Sequence, residues 1–171
     1  FFRFNAGMAA LLLTGALAVG DDRLTVRFFD VGQGDAALVV SPTGKTLLVD
    51  GGPPESGARL AQRLQALLRA PVDLVLLSHA HLDHLGGLER VLASTGAKLF
   101  MEPGFDHPSP AYESLLRAFE ARSVPLRIAE AGRSIDLGGG ARMTVLWPSR
   151  PFVAHTRSDV NANSVVARLA F

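Results

Sequence analysis

The residues Leu76-Leu77-Ser78-His79-Ala80-His81-Leu82-Asp83-His84-Leu85-Gly86-Gly87 decide how this chain is read. Three of its five histidines fall between positions 79 and 84, with an aspartate among them. In an extended segment residues i and i+2 point the same way, so His79 and His81 can grip one cation. Asp83 and His84 come where the chain must turn into the next helix, and can face a second cation nearby. The apolar run Val72–Leu77 before the cluster has strand length and is bounded by Pro71 and Ser78. Ligands of open α/β sheets gather at the carboxyl ends of strands, where this cluster would stand. Imidazole with carboxylate suits Zn, Mn or Fe better than Ca. A merely solvated, histidine-rich loop is the lesser reading, because spacing, position and the following glycines agree.

Working outward, Leu24–Phe29 reads as a strand and Asp30-Val31-Gly32-Gln33-Gly34-Asp35 as a glycine-punctuated loop. Ala36–Ser41 and Thr46–Asp50 are apolar strands around Pro42-Thr43-Gly44-Lys45, a hairpin signal. Residues 58–70 form a helix with Leu60, Leu64, Leu67 and Leu68 on one face. Its Arg59, Arg63 and Arg69 read as a solvated face rather than a nucleic-acid track. Leu88–Ala93 is a short helix and Lys98–Met101 a strand. Ser109-Pro110 opens another helix, with Tyr112, Leu115, Leu116 and Phe119 facing inward. Strands follow at Leu126–Ala129 and Ala141–Trp147, around the Gly138–Gly140 turn. A polar loop, Pro148–Asn163, leads to a final strand in Ser164–Phe171. Phe28, Phe29, Phe105, Phe119 and Trp147 read as core or loop anchors. Strands first, then alternating helices and strands, is an α/β pattern.

Composition narrows the chemistry. The 171 residues are 48% hydrophobic, enough for one domain with a sizeable core. Lys plus Arg total 17 against 16 Asp plus Glu, a net charge of +1 that argues against a dedicated nucleic-acid wrapper. With no cysteine there are no disulfides, thiolate zinc sites or cysteine nucleophiles. Gly32-Gln33-Gly34 is not a phosphate loop, since no Lys-Ser/Thr follows it. Residues 1–20 read as a signal peptide or membrane segment: Arg3 precedes an uncharged stretch from Phe4 to Gly20, with Ala16-Leu17-Ala18 as a cleavage motif. The chain is therefore expected outside the cytoplasm, periplasmic or extracellular, or anchored to a membrane.

SHAHLDH (78–84) resembles the H-x-H-x-D-H signature of the metallo-β-lactamase fold, with all four ligand positions filled. FFDVGQGDAALVV (28–40) and GKTLLVDGG (44–52) resemble the subgroup containing the C-terminal extracytoplasmic domain of ComEC-type competence DNA-uptake channels and their secreted single-domain relatives. The resemblance implies an αββα sandwich, its first half plus the start of the second, over residues 23–171. It implies two divalent metal ions, Zn first, with Mn or Fe as alternatives. His79 and His81 would hold the first and Asp83 and His84 the second. Asp83 and Asp50 would be catalytic, Asp50 by orienting a ligand. Asp35 and Asp30 flank a loop that lies near the site in relatives; Asp30 reads equally well as a turn residue.

The family completes its site with a later His or a substitute, a bridging Asp and a final His. Here His155, Asn161 and Asn163 are the added candidates, with His107 behind them. The bridging Asp and last His are expected beyond Phe171, and a half fold would expose a sheet face. The chemistry implied is a hydrolysis by hydroxide held between two cations roughly 3.5–4 Å apart. The expected function is an exported phosphodiesterase or nuclease. Its substrate would be a phosphodiester, single-stranded DNA among the candidates, or a small ester, with no protein partner. The alternatives are a phosphocholine-type esterase or other small-ester or lactam hydrolase, and a non-catalytic remnant or binding module.

Overall fold

Leu74–Leu76 (β4) is buried at every position, as a central strand without polar alternation must be. The computed structural model describes residues 22–171, so the expected signal or membrane segment lies outside the described residues. β4 sits within a six-stranded sheet of order β1-β2-β3-β4-β5-β6. Thr25–Phe28 (β1), Ala37–Val40 (β2) and Thr46–Val49 (β3) form an antiparallel meander. β3, β4, Phe100–Glu102 (β5) and Leu126–Ile128 (β6) then run parallel. The parallel crossovers are helices: Gly57–Leu67 (α1), Leu82–Leu85 with Leu88–Thr95 (α2 and α3), and Pro110–Glu120 (α4).

Alternation along the strands sorts the core into two layers. Leu38, Leu48, Val75, Leu77 and Phe100 meet Leu60 and Leu64 of α1, Val91 and Leu92 of α3, and Leu115 and Phe119 of α4. Phe100 and Phe119 stack, with centroids 4.0 Å apart and planes 8° from parallel. The neighbouring residues Val39, Leu47, Leu74, Leu76 and Met101 point the other way, onto Leu137, Ala141, Met143 and Val145. These last belong to a second, antiparallel sheet of Ser134–Gly138 (β7), Ala141–Trp147 (β8) and Val166–Ala170 (β9). The described residues thus build helices, sheet and sheet in that order. On the far face of the second sheet Leu146 and Val166 are each 50% exposed.

Several expectations need correction. α1 stops at Leu67, because Leu68 turns extended (φ −99°, ψ 143°) ahead of Pro71. Leu67 is consequently 42% exposed rather than on the core face. Phe28 anchors nothing: it is 83% exposed, since the second sheet does not reach over β1. β7 was not expected, although Ile135 and Leu137 carry its alternation. The polar loop contains a one-turn helix, Asp159–Ala162 (α5), capped by Ser158. Among the described residues no helix is long and apolar enough to cross a membrane.

Candidate metal centre

Ser78, two residues past the end of β4, is where backbone and side chain begin to organise the cluster. Its N–H donates to Asp50 Oδ1 at 2.7 Å and its hydroxyl donates to Asp50 Oδ2 at 2.6 Å. Asp50 ends β3 in the left-handed region (φ 57°), a conformation aspartate tolerates better than most residues. It is almost fully buried, and its Oδ2 also accepts from His84 Nδ1 at 2.9 Å. Because the Ser78 proton is committed to Asp50, the 3.0 Å contact between Ser78 Oγ and His79 Nδ1 is made with His79 donating. In their neutral forms both imidazoles therefore carry the proton on Nδ1 and keep the Nε2 lone pair.

Backbone bonds lock the loops around these side chains. His81 caps α2, and its carbonyl accepts from the N–H groups of His84 and Leu85. Gly51 N–H donates to the His84 carbonyl, Gly52 N–H to that of Asp35, and Gly87 N–H to that of Gly52. The approach is close enough to demand glycine. A Cβ on Gly34 (φ 118°) would collide with the Asp83 carbonyl, and one on Gly87 with the Gly51 carbonyl.

The result is a row of imidazoles. The His84 and His79 rings lie 4.1 Å apart, His79 and His81 4.8 Å, and His81 and His107 5.9 Å. Asp83 Oδ2 stands 3.7 Å from His84 Nε2. Burial, then the neighbouring His84 and His81, push His79 down to about 4, so it is neutral at physiological pH. The hydrogen bond to Asp50 raises His84 instead. Among the described residues no three such side chains converge in an arrangement already shaped to hold an ion. The chemistry of the donor set nevertheless fits a divalent cation: two Nε2 lone pairs set by their partners, a third imidazole, and a carboxylate beside them.

The remaining candidates separate. Asp35 is exposed, 3.9 Å from His84 Nδ1. Asp30 accepts from Gly32 N–H, a turn contact. His155 is exposed at φ 64°, its N–H donating to Asp159, and among the described residues no contact joins it to the row. Asn161 donates its N–H to Ser158 and its carbonyl accepts from Ser164. Asn163 is fully buried and bonds both backbone groups of Val153 and the Asp159 carbonyl, so it braces a loop. His107 stands at the outer end of the row, its ring 5.9 Å from that of His81.

Sequence reading missed Glu102, buried at the end of β5. Its Oε2 accepts from Gly104 N–H at 2.7 Å and from the Tyr112 hydroxyl at 2.9 Å. Burial pushes this carboxyl up, against the pull of those two bonds and of Arg150.

The family model of the metallo-beta-lactamase superfamily matches residues 29–160. Endoribonuclease YSH1 of Mycosarcoma maydis is 31% identical over 152 residues, 83% of this chain and 16% of that protein. A UPF0173 metal-dependent hydrolase of Polynucleobacter asymbioticus is 34% identical over 108 residues, 56% of this chain and 36% of the relative. The chain thus spans well under half the length of these curated relatives. Among solved structures, a metallo-beta-lactamase of Cronobacter sakazakii with a HARLDQ motif superposes at a TM-score of 0.55 and 20% identity, over 84% of this chain and 51% of its own. The metallo-beta-lactamase SMB-1 does so at 0.51 and 20%, over 71% and 49%. Matched in sequence over residues 29–160 and sharing the fold of these structures, the chain belongs to the metallo-beta-lactamase superfamily.

Proposed function

We propose that this protein is an exported, metal-dependent phosphodiesterase or nuclease. The observation that carries the reading is the pairing of Asp50 with both Ser78 and His84 at the carboxyl end of β4, which holds the Nδ1 side of two imidazoles and leaves the Nε2 of each for a ligand. His79 and His81 would hold one divalent cation and Asp83 with His84 a second, zinc first, with manganese or iron as alternatives. Bound there, the cations would acidify water and neutralise the charge that builds on the attacked group. Asp50 keeps His84 oriented, and Gly34 lets the Asp83 backbone sit against the 30–35 loop.

The phosphodiester reading draws support from the endoribonuclease relative, and the DNA reading from the resemblance of residues 28–52 to the competence DNA-uptake domain. Export is supported by the apolar stretch from Phe4 to Gly20 behind Arg3.

The test loads the full chain with zinc or manganese. It then follows hydrolysis of single-stranded DNA, the matching RNA, bis(p-nitrophenyl) phosphate, p-nitrophenyl phosphorylcholine and a cephalosporin. Cleavage of a nucleic-acid strand that disappears in the His81→Ala/Asp83→Ala double variant supports the proposal. Turnover of the choline ester or cephalosporin alone replaces it with a small-ester or lactam hydrolase. Hydrolysis unchanged in the double variant, or no hydrolysis by a metal-loaded chain, overturns it.

A further inference from the structure

Two loops stand beside the imidazole row, and each carries a phenylalanine. The first, residues 103–109, leaves the carboxyl end of β5 and holds Phe105 two residues before His107, the outermost ring of the row. The second follows β8 and holds Arg150 and Phe152. Phe105 and Phe152 meet edge to face, with centroids 5.2 Å apart and planes at 72°. The Arg150 guanidinium lies 4.1 Å above the Phe152 centroid. Arg150 also packs so closely on the first loop that a Cβ on Gly104 would stand 2.9 Å from its Nη2.

The second loop is braced for this position. Asn163 ties Val153 to Asp159 with three hydrogen bonds. Trp147 Nε1–H donates to the Ala162 carbonyl at 2.7 Å. Val165 N–H donates to the Ser78 carbonyl at 2.8 Å, joining the end of this loop to the residue that organises the cluster.

An exposed arginine held over a ring offers, together with that ring, a surface on which an aromatic base can stack, and its N–H groups suit a phosphate oxygen. The acidic groups here are Glu102, buried at the end of β5, and Asp106, exposed in the loop that follows it. We infer that Arg150, Phe152 and Phe105 form a subsite for single-stranded nucleic acid beside the imidazole row, with a phosphate on Arg150 and a base against the Arg150–Phe152 stack. The inference rests on the phosphodiester reading and names the part of the substrate held outside the hydrolytic centre.

Binding can be read without turnover. Fluorescence anisotropy of labelled (dT)12 and of an abasic strand of equal length is followed on the full chain in excess EDTA. Arg150→Ala is expected to weaken both strands about fivefold or more and to flatten the salt dependence by about 0.7 in log–log slope, one phosphate contact on a single strand. Phe152→Ala is expected to weaken (dT)12 about fivefold or more, the loss of one stacked base, and to leave the abasic strand unchanged. Arg168→Ala, on the exposed strand β9, serves as the charge control and should match wild type. Arg150→Gln repeats the charge test, and thermal melts verify that each variant is folded. Affinities for (dT)12 unchanged in folded Arg150→Ala and Phe152→Ala overturn the inference, as does a wild-type chain that binds neither strand. Binding that follows the expected pattern while nucleic acid is not hydrolysed leaves the subsite standing and removes only the catalytic reading.

Discussion

Asp50 Oδ2 lies 2.9 Å from His84 Nδ1, across 34 residues of sequence, and this pairing decides which nitrogen of His84 faces Asp83. Asp50→Asn keeps the volume and tolerates the left-handed backbone, but its amide N–H can point at His84 Nδ1. The proton of His84 then moves to Nε2. Zinc affinity, measured by competition with a chromogenic chelator, should fall about 10- to 100-fold while the fold persists. Wild-type zinc affinity in this variant would remove Asp50 from the orienting role.

Gly34 offers a steric test of the same centre. With φ at 118° and the Asp83 carbonyl against it, Gly34→Ala must move either the 30–35 loop or Asp83. Such strain is expected to cost about 1–3 kcal/mol in urea denaturation and to lower zinc affinity with it. A variant as stable as wild type would mean the two loops separate freely.

Glu102 gives a pH signature away from the histidines. Its folded carboxyl titrates above the ordinary 4.5, chiefly because it is buried. Between the two values the folded chain holds a proton that the unfolded chain has lost. The contribution of this group is therefore complete below about 4.5 and is lost as pH rises through the folded value. Glu102→Gln stays neutral and can still accept from Tyr112 and Gly104. Its melting temperature relative to wild type should rise between pH 4 and pH 8. A difference that is flat or falls with pH would contradict the burial of a charged carboxylate.

Asn163 braces the Arg150–Phe152 loop through three bonds, all from a fully buried side chain. Asn163→Ala leaves those backbone groups without their partners, and should cost about 2–4 kcal/mol. Limited proteolysis should shift to residues 148–158. Unchanged stability together with protection of that loop would show that Trp147 and Asp159 suffice to hold it.

Much of this architecture is written locally. β2, β3 and β4 read as apolar runs because glycine, proline or serine bounds each of them. The histidine cluster reads from spacing alone. What did not read depends on partners distant in sequence. Phe28 is exposed because no layer covers β1, which nothing in residues 24–29 records. Glu102 looks like a stray charge after an apolar run until Tyr112 and the Gly104 N–H are folded against it. Arg150 and Phe152 sit in a stretch that reads as polar loop, and the Phe105 ring that completes their arrangement comes from 47 positions before Phe152. β7 was overlooked for a different reason: serine, aspartate and glycine break its two apolar residues into something turn-like.

The bonds that set the two imidazole tautomers all lie between Asp50 and His84, and join the carboxyl ends of the neighbouring strands β3 and β4. Closing a loop of that length carries a modest entropic cost, and doubling it would add only about 0.6 kcal/mol. The second sheet begins some fifty residues later, at Ser134. As the chain is synthesised, the wiring of the imidazole row can therefore be laid down while β7, β8 and β9 are still unmade. The contact from Val165 to Ser78 must wait until Val165 is made, 87 residues after Ser78, so the Arg150–Phe152 loop can reach an imidazole row whose bonds are already formed.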